Sequence, residues 1–294
     1  VTFFVARTLG FSQFDSMFLA LAMSVTSTVV TVKLLEELNM INDKSSVLIM
    51  GILIVEDVIV ITMLGILQSL SLTAAVSFVD VLLSVAIVLG FIAAILILGS
   101  RYLPPLIDKL ARTTDYSVLI IVILGLAFGL SFVAIELGLS PVIGAFLAGV
   151  LVAESNSAGI ARVITIPLRD VFTALFFVSV GALVDVSKIP LFIIPALILI
   201  VTSFMAKMII IIPVLIRAGY DTTTAVRTGL GLASARGEMS LIVGKGGQDV
   251  GAVSSYILPI LGVVTIVTTF ATPYILKIGT KLNISSSPSE DNKS

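Results

Sequence analysis

The chain has 294 residues, of which 58% are hydrophobic and only 12% are charged, and its mean hydropathy is +1.20. Soluble domains are about 45–50% apolar and about 25% charged, so a water-soluble fold of this composition would leave a large apolar surface in water. The composition excludes an ordinary soluble domain and favours a protein embedded in the lipid bilayer. The net charge of −1 gives no electrostatic attraction for nucleic acid, so no nucleic-acid partner is expected.

The sequence contains neither cysteine nor histidine. Disulfides and thiolate metal sites are thereby excluded, and no bound cofactor is expected. Any side chain that carries a proton through the protein must be a carboxylate or a lysine, because the imidazole that usually serves near neutral pH is missing.

Nine apolar segments are bounded by polar residues, glycine or proline and lack the alternation of a barrel strand. Since a spanning helix needs about 20 residues, the pattern predicts an all-α polytopic membrane protein. The fifth segment is short enough for a tilted or partly re-entrant helix. The predicted spans are about 16–36, 45–69, 75–100, 116–136, 140–154, 167–184, 190–216, 224–245 and 253–277.

Residues 1–282 are assigned to one transmembrane domain, and residues 283–294 to a polar, disordered tail. With nine spans, all lysines and arginines of the loops fall on one side of the membrane except Arg7, Lys188 and Lys245. Because basic residues accumulate on the cytoplasmic side, this distribution predicts a multi-pass protein with a cytoplasmic C-terminus.

The first span contains a run of hydroxyl side chains at its centre, Thr26, Ser27 and Thr28. Hydroxyls inside a helix often do no more than bond to their own backbone. The alternative is an interrupted helix whose free backbone groups line a cavity. The two interpretations stay open at the level of the residues.

The second span carries two adjacent acids, Glu56 and Asp57, at its centre. An ionisable side chain at mid-bilayer costs about 2.5–3.5 kcal/mol, so such a residue is expected to be functional. Adjacent helical residues point about 100° apart, so one carboxylate can face an ion cavity while the other meets a partner on a neighbouring helix. A purely structural carboxylate cluster is the alternative.

Lys207 lies deep within the seventh span, in the segment VTSFMAKMIII. A buried ammonium needs a counter-charge, and Glu56 and Asp57 are the candidates. The lysine either forms a structural ion pair or takes part in proton exchange.

The eighth span contains Arg236, Gly237 and Glu238 at its middle. A glycine between two charges predicts a second interrupted helix. Residues two apart on a helix do not face each other, so the two charges are expected to have separate partners and to support the break. The layout of two interrupted spans is the one expected of inverted repeats whose broken helices cross at a binding site.

Five segments in order resemble the monovalent cation:proton antiporter-2 family, which includes bacterial and archaeal sodium/proton antiporters and the Kef-type potassium efflux systems. The resemblance covers nearly the whole chain. The segments are TSTVVTVKLLEEL, ILIVEDVIV, GLSPVIGAFLAGVLVAES, FFVSVGALVD and ARGEMSLIV.

The resemblance implies a thirteen-helix inverted-repeat fold, a homodimer, and a mobile core in which two broken helices cross. The nine spans fit the C-terminal part of that plan. The resemblance therefore implies that the four N-terminal helices of the plan are missing here, and a start at Val1 without a methionine is consistent with a fragment.

The resemblance also assigns roles within the membrane. Asp57 matches the aspartate that binds the cation or the proton, and Lys207 matches a lysine that pairs with the preceding acid in electrogenic members. Glu56 departs from the aspartate or glutamine of relatives, which leaves the number of protons exchanged open. Thr26 to Thr28 match the unwound helix beside the aspartate.

These residues predict a transporter rather than an enzyme, exchanging a monovalent cation for protons by alternating access across the cytoplasmic membrane. Sodium is the expected cation, with lithium or potassium as alternatives, and the cation's ligands would centre on Asp57. A Kef-type potassium/proton antiporter is the nearest rival, followed by a cation channel or a sodium-coupled solute carrier. An intramembrane aspartyl protease is disfavoured, since it needs paired aspartates on two helices. No nucleotide-binding motif occurs, so an ion gradient is the expected driving force.

Overall fold

The computed structural model describes residues 1–72, 78–111, 116–137, 139, 141–183 and 189–281. Helices account for nearly all of these residues, and no strand occurs among them, which confirms the all-α prediction. The helices are α1 Thr2–Thr8, α2 Gln13–Ser24, α3 Thr28–Glu37, α4 Lys44–Leu72, α5 Phe78–Ala94, α6 Ser100–Ala111, α7 Tyr116–Glu136, α8 Pro141–Ala153, α9 Ala158–Leu183, α10 Ile189–Arg217, α11 Thr222–Ala233, α12 Glu238–Asp249 and α13 Ile257–Lys281.

Two of the predicted spans are each made of two helices. The span at 16–36 consists of α2 and α3, and the span at 224–245 consists of α11 and α12. A π-helical turn, Ile95–Gly99, joins α5 to α6 without a break. Helix α9 begins at Ala158, before the apolar window that starts at 167, because its first turns carry Arg162, which such a window excludes. The predicted tail, 283–294, lies outside the described residues.

Many apolar side chains of the long helices are exposed, as at Phe270, which is 75% exposed, and Phe128, which is 69% exposed. In water such surfaces would be costly, whereas lipid solvates them. Six stretches of helix among the described residues are long and apolar enough to cross a membrane, including 13–37, 44–71 and 257–279. The chain is therefore a multi-pass membrane protein.

The described chain divides into two compact units. One comprises Val1–Val60, Val180–Gln248 and the described residues from Val253 onward. Its centre is α10, which packs against α1, α2, α11 and α13. A buried apolar cluster holds α3 and α4 against the end of α11, through Leu35, Leu53 and Leu232. All the intramembrane charges singled out in the sequence belong to this unit.

The other unit comprises Ile61–Ser179 and Asp249–Ala252. Helices α7 and α8 approach each other closely at Gly144, where an added Cβ would collide with the backbone of Leu130. Ile107 of α6 packs in a buried cluster with residues of α7, α8 and α9. Asp108 accepts hydrogen bonds from the backbone N–H groups of Asn156 (3.3 Å) and Ser157 (2.9 Å), which fastens the start of α9 to α6.

Candidate functional site

The first interrupted helix breaks at residues 25–27. Helix α2 ends at Ser24, and the chain is extended at Val25, with φ −87° and ψ 146°. Helix α3 restarts at Thr28 with Ser27 as its N-cap, whose hydroxyl accepts from the N–H of Val30 at 3.4 Å. Of the two interpretations of the hydroxyl-rich segment, the structure therefore shows the interrupted helix. It frees the last carbonyls of α2 and the first N–H groups of α3 from intrahelical bonds.

The second interrupted helix breaks at residues 234–237, between α11 and α12, as the Arg-Gly-Glu motif predicted. The two breaks cross, and each supplies partners for the other. The N–H of Ser27 donates to the carbonyl of Ala235 at 2.9 Å, and the hydroxyl of Thr26 donates to the carbonyl of Leu232 at 2.5 Å. In return, the hydroxyl of Ser240 in α12 donates to the carbonyl of Ala22 in α2 at 2.7 Å.

Gly237 lets the two breaks come this close. A Cβ at Gly237 would lie much closer than van der Waals contact distance to both Oγ and Cβ of Ser27. Only glycine leaves room for the Ser27 side chain at this point, so the glycine between the two charges is needed for the crossing itself.

Glu56 and Lys207 form an ion pair beside the crossing. The Nζ of Lys207 lies 2.7 Å from Oε1 of Glu56, and the two side chains are only 13% and 18% exposed, respectively. The other carboxylate oxygen, Oε2, accepts from the backbone N–H of Thr26 at 3.0 Å. Of the two counter-charges that the sequence allowed for Lys207, the structure selects Glu56.

Asp57 faces the start of α3. Its Oδ2 accepts a hydrogen bond from the hydroxyl of Thr28 at 3.0 Å. Its Oδ1 is buried and has no hydrogen-bond partner among the described residues. The negative charges of Glu238 and Glu56 both act on this carboxylate. A cation or a proton at Oδ1 would relieve this repulsion, and both cannot occupy the same oxygen.

Glu238 and Arg236 have separate partners, as their spacing predicted. Oε2 of Glu238 accepts from the hydroxyl of Ser27 at 2.8 Å. Arg236 is 1% exposed, and one of its terminal nitrogens contacts the hydroxyl of Ser203 at 3.4 Å, while its Nε has no partner among the described residues. The backbone N–H of Arg236 donates to Thr268 of α13 at 2.9 Å. Both residues therefore hold the second break.

Sequence reasoning missed three residues of this site: Ser203, Ser240 and Thr268. Ser203 lies one helical turn before Lys207, which is a signal that a helical wheel could have found. Thr268 also donates to the carbonyl of Val264 in its own helix at 2.8 Å. In the sequence it cannot be told from the many threonines that only back-bond.

The fold and the site combine two crossed, interrupted helices with buried ionisable groups at the crossing, an arrangement typical of membrane transporters. Residues 1–280 match the transmembrane sodium/hydrogen exchanger family, and the chain belongs to that family. The predicted membership of the monovalent cation:proton antiporter-2 group is confirmed by the curated relatives.

Three of these relatives illustrate the similarity. The chain is 30% identical over 268 residues to a Na(+)/H(+) antiporter of Enterococcus hirae, covering 91% of this chain and 70% of the relative. It is 28% identical over 268 residues to the K(+)/H(+) antiporter subunit KhtU of Bacillus subtilis, covering 91% and 65%. It is 34% identical over 189 residues to the putative cation/proton antiporter YbaL of Escherichia coli, covering 62% and 34%. The chain thus spans between about a third and seven tenths of the length of these relatives.

Proposed function

We propose that the protein exchanges a monovalent cation for protons across the cell membrane. The observation that carries the proposal is the environment of Asp57. One carboxylate oxygen is held by Thr28, and the other is buried without a hydrogen-bond partner among the described residues, next to two interrupted helices. An unpaired carboxylate oxygen in such a place is expected to bind an ion.

Exchange follows from competition at this oxygen. A hard monovalent cation takes oxygen ligands, which Asp57, the hydroxyls of Ser27 and Thr28, freed carbonyls and water can supply. When the cation binds, the proton must leave, and the reverse holds on the other side of the membrane. Alternating access of one site therefore gives coupled antiport without a second binding site.

The ion pair of Glu56 and Lys207 supports antiport over a cation pore. A fixed ammonium 2.7 Å from a carboxylate beside the pathway would repel a permeating cation. A protonatable pair at the same place can instead exchange a proton in each cycle. A sodium-coupled solute carrier would need a further site for its solute, and no observation here favours one.

Sodium is the proposed cation, with lithium or potassium as alternatives. Relatives of similar coverage are named as antiporters of sodium in Enterococcus hirae and of potassium in Bacillus subtilis. We further propose that the protein works as a homodimer with its C-terminus in the cytoplasm, as the family resemblance and the distribution of basic residues favour.

The test is dissipation of a pH gradient by the purified full-length protein in proteoliposomes, with sodium, lithium and potassium supplied in turn. We expect a saturable proton flux that stops when no transported cation is present on either side of the membrane. A cation flux that is independent of the proton gradient, or that does not saturate with cation concentration, would indicate a channel and overturn the proposal.

A further inference from the structure

Thr26 is hydrogen-bonded both to the two members of the Glu56–Lys207 ion pair and to the second interrupted helix. Its hydroxyl accepts a hydrogen bond from Nζ of Lys207 at 2.6 Å and donates to the carbonyl of Leu232 at 2.5 Å. Its backbone N–H donates to Glu56 at 3.0 Å. The residue is completely buried.

These bonds close a ring. Glu56 bonds to Lys207 through Oε1 and to Thr26 through Oε2, and Lys207 bonds to the Thr26 hydroxyl. The ring is joined to the second interrupted helix because the same hydroxyl donates to the last turn of α11. The ion pair and the crossing of the two helices therefore share one side chain.

We propose that Thr26 is a positioning residue, which holds Lys207 against Glu56 and ties this ion pair to the helix crossing, and is not a ligand of the transported cation. The inference rests on the proposed antiport function and assigns a residue of the same site to a different role from its neighbours. Its consequence is that a change in the charge of the pair alters the bond that joins the two interrupted helices.

The bonding capacity of a hydroxyl is the first argument for this role. A threonine hydroxyl has one proton and two lone pairs. The proton is given to Leu232, and one lone pair receives the Lys207 ammonium. A cation bound to the remaining lone pair would lie close to the positive charge of Lys207, which is unfavourable. Thr28, by contrast, donates its hydroxyl proton directly to Asp57.

The charges around Lys207 supply the second argument. Glu56 from α4 attracts the ammonium, and Arg236 from the second break repels it. Three further charged side chains on the packed helices bond elsewhere: Arg7 to the carbonyl of Phe11, Asp15 to Ser254, and Arg227 to the carbonyl of Gly279. With repulsion from Arg236, the neutral acceptor at Thr26 is a necessary part of what keeps the ammonium in place.

The test compares Thr26→Val with Thr31→Val in the full-length protein. Valine keeps the shape of threonine and has a methyl group in place of the hydroxyl. Thr31 is a matched control because it lies in α3, is also completely buried, and its hydroxyl has no hydrogen-bond partner among the described residues. Thr26→Ser keeps the hydroxyl and removes only the methyl group, so it should behave like the wild-type protein.

In this proposal the alkaline limb of the pH profile of exchange reports the loss of the proton from Lys207. We expect Thr26→Val to move this limb to lower pH by about one unit, because the charged lysine loses a hydrogen-bond acceptor. The apparent KM for the cation at the optimum pH should change less than about twofold. Thr31→Val and Thr26→Ser should have the wild-type profile. A rise in KM with an unshifted profile would make Thr26 a cation ligand and overturn the proposal. An unshifted pH profile together with an unchanged KM would give Thr26 a merely structural role, and this outcome would also overturn the proposal.

A second measurement does not depend on transport. Melting temperatures of Thr26→Val, Lys207→Met and the double variant in detergent form a double-mutant cycle. We expect a coupling between the two sites, and additive shifts in melting temperature would overturn the proposal even if one variant is inactive. If the wild-type protein shows no cation-dependent proton flux while the coupling is present, the antiport function fails and the positioning of Lys207 by Thr26 stands.

Discussion

A hydrogen bond between Ser27 and Glu238 links the N-terminus of α3 to the N-terminus of α12. Ser27 is the N-cap of α3, Glu238 is the first residue of α12, and the serine hydroxyl donates to Oε2 of the glutamate at 2.8 Å. The N-terminus of a helix carries a partial positive charge. Glu238 therefore offsets the dipoles of both half-helices where no continuous helix is left to do so.

We expect Glu238→Gln to lower the free energy of unfolding by about 1–3 kcal/mol, since it removes a charged acceptor from two helix N-termini. Thermal melting in detergent measures the change. Glu37→Gln is the matched control, because Glu37 is exposed at the end of α3 and should not alter stability. Equal melting of the two variants would show that Glu238 does not support the break.

Asp57→Asn should abolish cation-dependent proton flux while membrane insertion and melting temperature stay close to wild type. Asparagine keeps the size of the side chain and removes the charge that binds cation and proton in turn. Flux in proteoliposomes is the measurement, with Asp170→Asn as a control at an exposed aspartate. Flux retained in Asp57→Asn would remove Asp57 from the mechanism.

Gly237→Ala should destabilise the protein, because the new Cβ would overlap the Ser27 side chain at the crossing. Overpacking of this kind typically costs about 1–3 kcal/mol. Gly51→Ala provides the contrast: Gly51 lies within α4, and a Cβ there has open space around it. Alanine at that position should stabilise the helix slightly, so melting shifts of opposite sign are expected.

The ion pair of Glu56 and Lys207 can be tested with a second double-mutant cycle. Either Glu56→Gln or Lys207→Met leaves a charge buried without its partner, which is costly. The double variant removes both charges and should be more stable than either single variant. Melting of all four proteins gives the coupling energy. A value near zero would mean that the 2.7 Å contact contributes nothing to stability.

The stability of the protein is expected to depend on pH through Asp221, which lies outside the membrane-spanning segments. It is the N-cap of α11, and hydrogen bonds from Thr224 lower the pKa of its carboxyl below the ordinary value. A lowered pKa in the folded state means that its stabilising effect is present above the unfolded pKa of about 4 and is lost as the pH falls through the lower, folded value. The melting temperature of Asp221→Asn, compared with that of wild type below pH 4, should therefore lack part of the acid-dependent decrease.

The sequence was sufficient for much of the fold, because the apolar runs and the energetic cost of intramembrane charge are local properties. The class of protein and the positions of most helices follow from them, and the same cost singles out Glu56, Asp57, Lys207 and the Arg236–Glu238 motif as candidates. Helix α9 begins at Ala158, about two and a half turns before the predicted span, since a helix can extend past its apolar window into polar residues.

What only the tertiary structure decided is which groups meet. Glu56 and Asp57 are equivalent candidates in the sequence, and the direction of each side chain on α4 selects Glu56 for Lys207 and Asp57 for Thr28. Thr26 and Thr28 are likewise indistinguishable as hydroxyls, yet one bonds the lysine and the other bonds the aspartate. Such pairings depend on the approach of helices that are far apart in the chain, and no local pattern of residues encodes that approach.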